Sequence, residues 1–84
     1  MSLHSDPIQR RFSSLIFHVR TAKHLTQAAV AEGVDLSRRW YQRIEKGEVR
    51  PSAAAALRIM AFLEIDSKYL REGVPFPDQQ EDIA

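Results

Sequence analysis

The 84-residue chain contains no cysteine. A disulfide framework, a thiolate zinc site and a cysteine nucleophile are therefore excluded. Glycine is scarce, with 3 residues, and each stands where a helix would stop or turn. No glycine-rich phosphate loop and no Gly-x-Ser-x-Gly elbow is present. Long apolar runs are missing too; Ala53–Leu57 is only five residues, far short of a membrane span. Arg10 and Arg11 interrupt the beginning of the chain before an apolar stretch forms, so no signal peptide is expected. His4, His18 and His24 show no metal-ligand spacing. With no catalytic constellation, the expectation is a protein that is not an enzyme and takes neither cofactor nor metal. The expected setting is the cytoplasm, with no membrane partner.

Hydrophobic residues make up 44% and charged residues 27% of the chain, a mixture suited to one small folded domain with a modest core. The net charge is only +1, but it is unevenly placed. Val74–Ala84 holds Asp78, Glu81 and Asp82 and no basic residue, so the rest of the chain carries +4. Between Arg20 and Arg50 seven basic residues face four acidic ones. Such an excess attracts a polyanion, although many unrelated domains share it.

The helix signals divide the chain into five segments and no strand. Asp6 as N-cap and Pro7 at the first position open a helix running to about Lys23. Ile8, Phe12, Leu15, Ile16 and Val19 form its apolar stripe, with Phe17 on the opposite side. Thr26 caps a second helix, Gln27 to about Glu32, which Gly33 is expected to break. Ser37 caps a third, Arg38–Lys46, which Gly47 ends in the left-handed conformation. Ser52 caps a fourth, Ala53–Leu63, with Ala53, Ala56, Ile59, Met60 and Leu63 expected inward. Arg58 is its only charge, which predicts that this helix is the most buried. Asp66 caps a short fifth, Ser67–Glu72, stopped by Gly73. The expected fold is all-α, five helices over residues 6–73, followed by an acidic, proline-containing tail at 74–84.

The third helix carries the functional signal. At about 100° per residue, Arg38, Arg39, Gln42, Arg43 and Lys46 share one face while Tyr41 and Ile44 share the other. A short helix that is apolar behind and arginine-rich in front suits the DNA major groove, where arginine pairs with guanine and glutamine with adenine. Taken alone, the same pattern also describes a solvated charged face.

The flanking residues decide between these. Leu25-Thr26-Gln27 opens the second helix, Ala31 is small, and Val34, Leu36, Tyr41 and Ile44 occupy packing positions. Arg43-Ile44-Glu45-Lys46-Gly47 closes the third helix, and Arg50-Pro51-Ser52 follows. This segment resembles the Xre/Cro-type helix-turn-helix family of phage and bacterial repressors, without a gap from Arg20 to Gly47 and onward through Gly73. The resemblance implies a helix-turn-helix at helices 2 and 3 and double-stranded DNA as partner. It implies base reading by Arg38, Arg39, Gln42 and Arg43, and DNA-backbone contacts by Gln27, Ser37, Lys46 and Arg50. Arg20 and Glu45 match a scaffold pair. Three residues depart from the family pattern. Asp35 stands where the turn usually has glycine, and Tyr41 replaces an aliphatic residue and needs a hydrogen-bond partner. Trp40 replaces a small residue; its ring either folds over the core edge beside Ile44 or touches the DNA backbone or a partner subunit.

The function implied is that of a bacterial or phage-encoded transcriptional regulator, a repressor or controller, reading a paired half-site operator as a homodimer. Phe62, Tyr69, Leu70, Val74 and Phe76 are the candidate dimer contacts. The alternative is an antitoxin or other interaction module on the same fold, holding a protein partner such as a toxin or polymerase with or without DNA.

Overall fold

The computed structural model describes residues 6–77. His4 and the acidic residues Asp78, Glu81 and Asp82 lie outside the described residues. Within them the fold is all-α: α1 Pro7–Ala22, α2 Gln27–Gly33, α3 Arg38–Glu45, α4 Ala53–Leu63, then a 3₁₀ turn at Ser67–Leu70.

Each element begins at a side-chain cap. Asp6 accepts from the amides of Ile8 and Gln9, Thr26 from Ala29, Ser37 from Trp40, Ser52 from Ala55 and Asp66 from Lys68. These oxygens satisfy amides that have no partner within the first turn. The helix ends also share one device. His24, Asp35, Gly47 and Glu64 all have φ between 60 and 80°. After each, the next amide reaches back five residues, as in Leu25 to Arg20 (3.1 Å), Leu36 to Ala31 (2.9 Å), Glu48 to Arg43 (2.9 Å) and Ile65 to Met60 (2.9 Å). This is the Schellman ending, which pairs otherwise orphaned carbonyls.

The helix in the centre is α1, not α4. Phe12, Leu15, Ile16 and Val19 of α1 are buried against Val30, Ala31, Val34, Tyr41, Ile44, Ile59, Met60, Leu63 and Ile65. On α4 the inward face is Ala55, Ile59, Met60 and Leu63; Ala53 is exposed and Ala56 half-buried. Leu57 is 68% exposed. The scarcity of charge on α4 reflects its alanines, which sit at a surface with little penalty, so few charges did not mean burial. At the other end of the stripe on α1, Ile8 is 63% exposed. It sits in the first turn, where the stripe outruns the core, and Gln9 turns inward instead, its Nε2 donating to the Val49 carbonyl at 3.3 Å.

Two further expectations are corrected. Gly33 does not break α2 by its conformation: it is the last helical residue, and the left-handed residue is Asp35. Gly33 meets a spatial demand, because a Cβ there would overlap the ring of Phe62. The fifth helix is a 3₁₀ turn, so the count of α-helices among the described residues is four. Its bonds join residues three apart, Tyr69 to Asp66 and Arg71 to Lys68, both 3.1 Å. Arg71 is already extended, with φ −74° and ψ 130°. The chain is drawn away by α1: Arg11 Nε donates to the Tyr69 carbonyl at 2.6 Å, and Arg11 Nη2 donates to the Val74 carbonyl. The Arg11 guanidinium also lies 4.7 Å from the Phe76 ring centre, and His18 Nε2 donates to the Pro77 carbonyl at 3.0 Å. Fixing carbonyls to a neighbouring helix leaves too few residues for an α-helical turn to propagate.

Candidate nucleic-acid interface

The α2–turn–α3 unit is held from behind. Tyr41 and Ile44 are fully buried under α1 and α2. Ser13 Oγ of α1 donates to the Ile44 carbonyl at 2.9 Å, and Arg58 Nε of α4 donates to the Val34 carbonyl at 3.2 Å. Charged or hydroxyl side chains of α1 and α4 therefore take up carbonyls at the ends of both helices of the unit.

Glu45 is the hub of the attachment. Arg20 Nε donates to its Oε2 at 2.7 Å and Arg20 Nη2 to its Oε1 at 2.9 Å. Gln27 Nε2 donates to Oε1 and the Tyr41 hydroxyl to Oε2, both at 2.8 Å. Gln42 Nε2 extends the chain by donating to Gln27 Oε1 at 3.2 Å. Arg20 also anchors the loop before α2 through the Leu25 carbonyl at 2.8 Å. One carboxylate thus joins α1, α2 and α3, and it gives the Tyr41 hydroxyl its partner. The electrostatics follow. Burial pushes the Glu45 carboxyl upward, but the bonds from Arg20, Gln27 and Tyr41 outweigh burial and hold it below the ordinary carboxylate value. The bond to Glu45 raises Arg20 despite its own desolvation. Burial, then the Glu45 carboxylate, drive the Tyr41 phenol far upward, so it remains a donor.

The front of α3 is exposed: Arg38, Arg39, Trp40 and Arg43, with Lys46 at its C-cap. Among the described residues the side chains of Arg38, Arg39 and Lys46 have no ion-pair or hydrogen-bond partner. Arg43 does, lying 3.6 Å from Glu48 and 5.5 Å from the Trp40 ring centre. Trp40 is 38% exposed and lies outside the buried cluster that contains Ile44. Of the remaining positions read from the sequence, Ser37 Oγ accepts from the Trp40 amide. Gln27 and Gln42 are both tied into the Glu45 network. Arg50 pairs with Asp6, the α1 cap, at 3.2 Å.

Among the candidate dimer residues, Phe62 is exposed beside Gly33. Tyr69, Leu70 and Phe76 pack against the chain's own core, and Val74 is half-buried. Arg11, His18, Ser13 and Arg58 had no signal in the sequence, because a polar side chain aimed at a distant carbonyl leaves no periodic trace. No group of three or more His, Cys, Asp and Glu residues among those described is placed to hold a metal ion. Nor is any described helix long and apolar enough to cross a membrane.

The geometry defines a DNA-binding helix-turn-helix: two short helices locked by a carboxylate hub, the second presenting arginines. The model of a family described as a helix-turn-helix domain matches residues 12–72, and the chain belongs to that family. The match begins inside α1 and extends past the 3₁₀ turn, in keeping with the Xre/Cro-type resemblance. No curated protein and no solved structure matches the chain.

Proposed function

We propose that the protein is a sequence-specific transcriptional regulator, not an enzyme, that lays α3 in the major groove of an operator made of paired half-sites. The observation that carries this reading is the front of α3. Arg38 and Arg39 stand exposed with no acceptor of their own among the described residues, on a helix whose back is anchored by Tyr41, Ile44 and Glu45. Such guanidinium groups give up no existing bond when they take up the edge of guanine, and the anchored helix loses little backbone order.

Arg38, Arg39, Gln42 and Arg43 are the base-reading set in this proposal. Gln42 must release Gln27 to take part. Gln27, Ser37, Lys46 and Arg50 contact the DNA backbone, Arg50 by exchanging Asp6 for phosphate. A homodimer supplies two recognition helices about one helical turn of DNA apart. Phe62 is the exposed member of the dimer set. Tyr69, Leu70, Val74 and Phe76 complete the proposed set.

A second reading has one observation in its favour. Ile8 and Leu57 are both largely exposed and line a common groove between α1 and α4, the kind of apolar patch that a protein partner covers. An antitoxin or polymerase-contacting role would use it.

Selection of bound duplexes from a randomised library, followed by titration of the enriched and a scrambled duplex at several salt concentrations, tests the first reading. The expected result is an enriched inverted repeat, with affinity falling steeply as salt rises through counterion release. A folded protein that retains no duplex even at low salt would leave the interaction-only reading in its place.

A further inference from the structure

Arg43 is held differently from its neighbours on α3. Its guanidinium lies over the Trp40 ring at 5.5 Å and its Nε lies 3.6 Å from Glu48 Oε1. Two backbone features produce this arrangement. Trp40 precedes Arg43 by three residues, so the two share a helix face. Gly47, at φ 80°, reverses the chain after α3. The Glu48 amide then donates to the carbonyl of Arg43 itself at 2.9 Å, and the Gly47 amide to Ile44 at 3.0 Å. The Schellman ending thereby returns Glu48 to the turn that carries Arg43. Both side chains remain about half exposed, so a third group can reach the guanidinium. Trp40 is not a member of the buried core cluster, so packing of the fold does not account for its ring.

We propose that Trp40 and Glu48 are positioning residues that determine the specificity of Arg43, the ring fixing the plane of the guanidinium and the carboxylate steering it toward base edges and away from phosphates. This rests on the reading of α3 as the base-reading helix. The physical basis is a difference in charge between the two acceptors. A guanidinium carries five donors, so Arg43 can keep Glu48 and still bond a second acceptor. The O6/N7 edge of guanine is neutral and can share Arg43 with the carboxylate. A phosphate is anionic and must approach against the charge of Glu48. Random DNA, which is bound through its phosphates, is disfavoured more than the operator. Trp40 adds an orienting term, because a guanidinium over an aromatic face is attracted by the ring and held in one plane.

The test uses Trp40→Leu, Glu48→Gln and Arg43→Ala, singly and in pairs, in the full chain. Each is titrated on the duplex recovered by selection and on a scrambled duplex. Glu48→Gln is expected to tighten scrambled-duplex binding about two- to fivefold at low salt, as fits loss of one exposed charge pair. The operator gains less, so the ratio of the two affinities falls. Trp40→Leu is expected to weaken operator binding about two- to fivefold. In the Arg43→Ala background neither change has a further effect.

Trp40 is the single tryptophan, so its emission reports the arrangement without DNA. Arg43→Ala is expected to shift that emission in the free protein. An emission unmoved by Arg43→Ala overturns the proposal, because the ring and the guanidinium are then not in contact. It is equally overturned if Glu48→Gln tightens both duplexes alike, or if either effect persists without Arg43. Wild-type protein that binds neither duplex defeats the α3 reading, and the proposal falls with it. Wild-type binding combined with any of the preceding outcomes defeats the proposal alone.

Discussion

Replacing Glu45 with alanine removes the acceptor for Arg20, Gln27 and Tyr41 together. The Arg20 side chain is 12% exposed and that of Glu45 4%, so water cannot fully substitute. Breaking a buried pair from one side costs about 3 to 5 kcal/mol. Arg20 keeps the Leu25 carbonyl and some solvent, which puts the expected loss near the lower limit, about 3 kcal/mol. A domain of this size has roughly 4 to 12 kcal/mol in total, so the variant is expected to be marginal. At about 4 to 8 °C per kcal/mol, its melting temperature falls by roughly 12 to 24 °C.

Tyr41→Phe loses one neutral donor to a charged acceptor and is expected to cost about 1.5 to 3 kcal/mol, at the lower end because Arg20 and Gln27 remain on the carboxylate. The pH dependence is a second, independent readout. The Glu45 carboxyl is held below its unfolded value. Its contribution is therefore fully present above the unfolded carboxylate value and is lost as pH falls through the lower folded one. Glu45→Gln should flatten that part of the acid limb. Urea and thermal melts followed by circular dichroism, at neutral pH and through the acid range, measure both effects. An alanine variant within about 0.5 kcal/mol of wild type, or an acid limb unchanged in Glu45→Gln, would refute the hub as the joint that holds the recognition helix.

Three further outcomes are expected. Arg39→Ala should weaken operator binding by about 1 to 3 kcal/mol and relax one base position, whereas Arg50→Ala should weaken all duplexes alike. Equal losses on operator and scrambled DNA for Arg39→Ala would reassign it to phosphate. Phe62→Asp should shift analytical ultracentrifugation profiles from dimer to monomer; a wild-type protein that is monomeric both free and on DNA contradicts the two-fold arrangement. Glu64→Gly should stabilise the fold by roughly 0.5 to 1 kcal/mol, because relief of left-handed strain exceeds the entropy of glycine and the exposed Lys23–Glu64 pair at 3.4 Å. A lower denaturation midpoint would show that the strain at Glu64 is negligible.

What could be read from the residues alone were the features encoded locally. The caps at Asp6, Thr26, Ser37 and Ser52 place an oxygen two or three residues before the amide it serves, so they are visible in sequence. The division of α3 into a basic front and a Tyr41–Ile44 back is a periodicity, and so is most of the α1 stripe. The pairing of Arg20 with Glu45 was legible only through family resemblance, because nothing local links residues 25 positions apart.

Tertiary structure decided the rest. Of the left-handed helix ends, composition pointed to Gly47 and the family resemblance to Asp35; those at His24 and Glu64 are imposed by where the next helix must pack. Gly33 serves Phe62, a residue 29 positions later, rather than its own backbone. Alanines made α4 look like a core helix, but burial depends on which neighbours arrive, and α1 receives them. The contact of Arg43 with Trp40 is helical spacing, but the return of Glu48 to Arg43 follows from the chain reversal at Gly47, which brings the two side chains together only in three dimensions. Local hydrogen bonds and periodicity are written along the chain, whereas the partner of a long polar side chain is set by the fold that surrounds it.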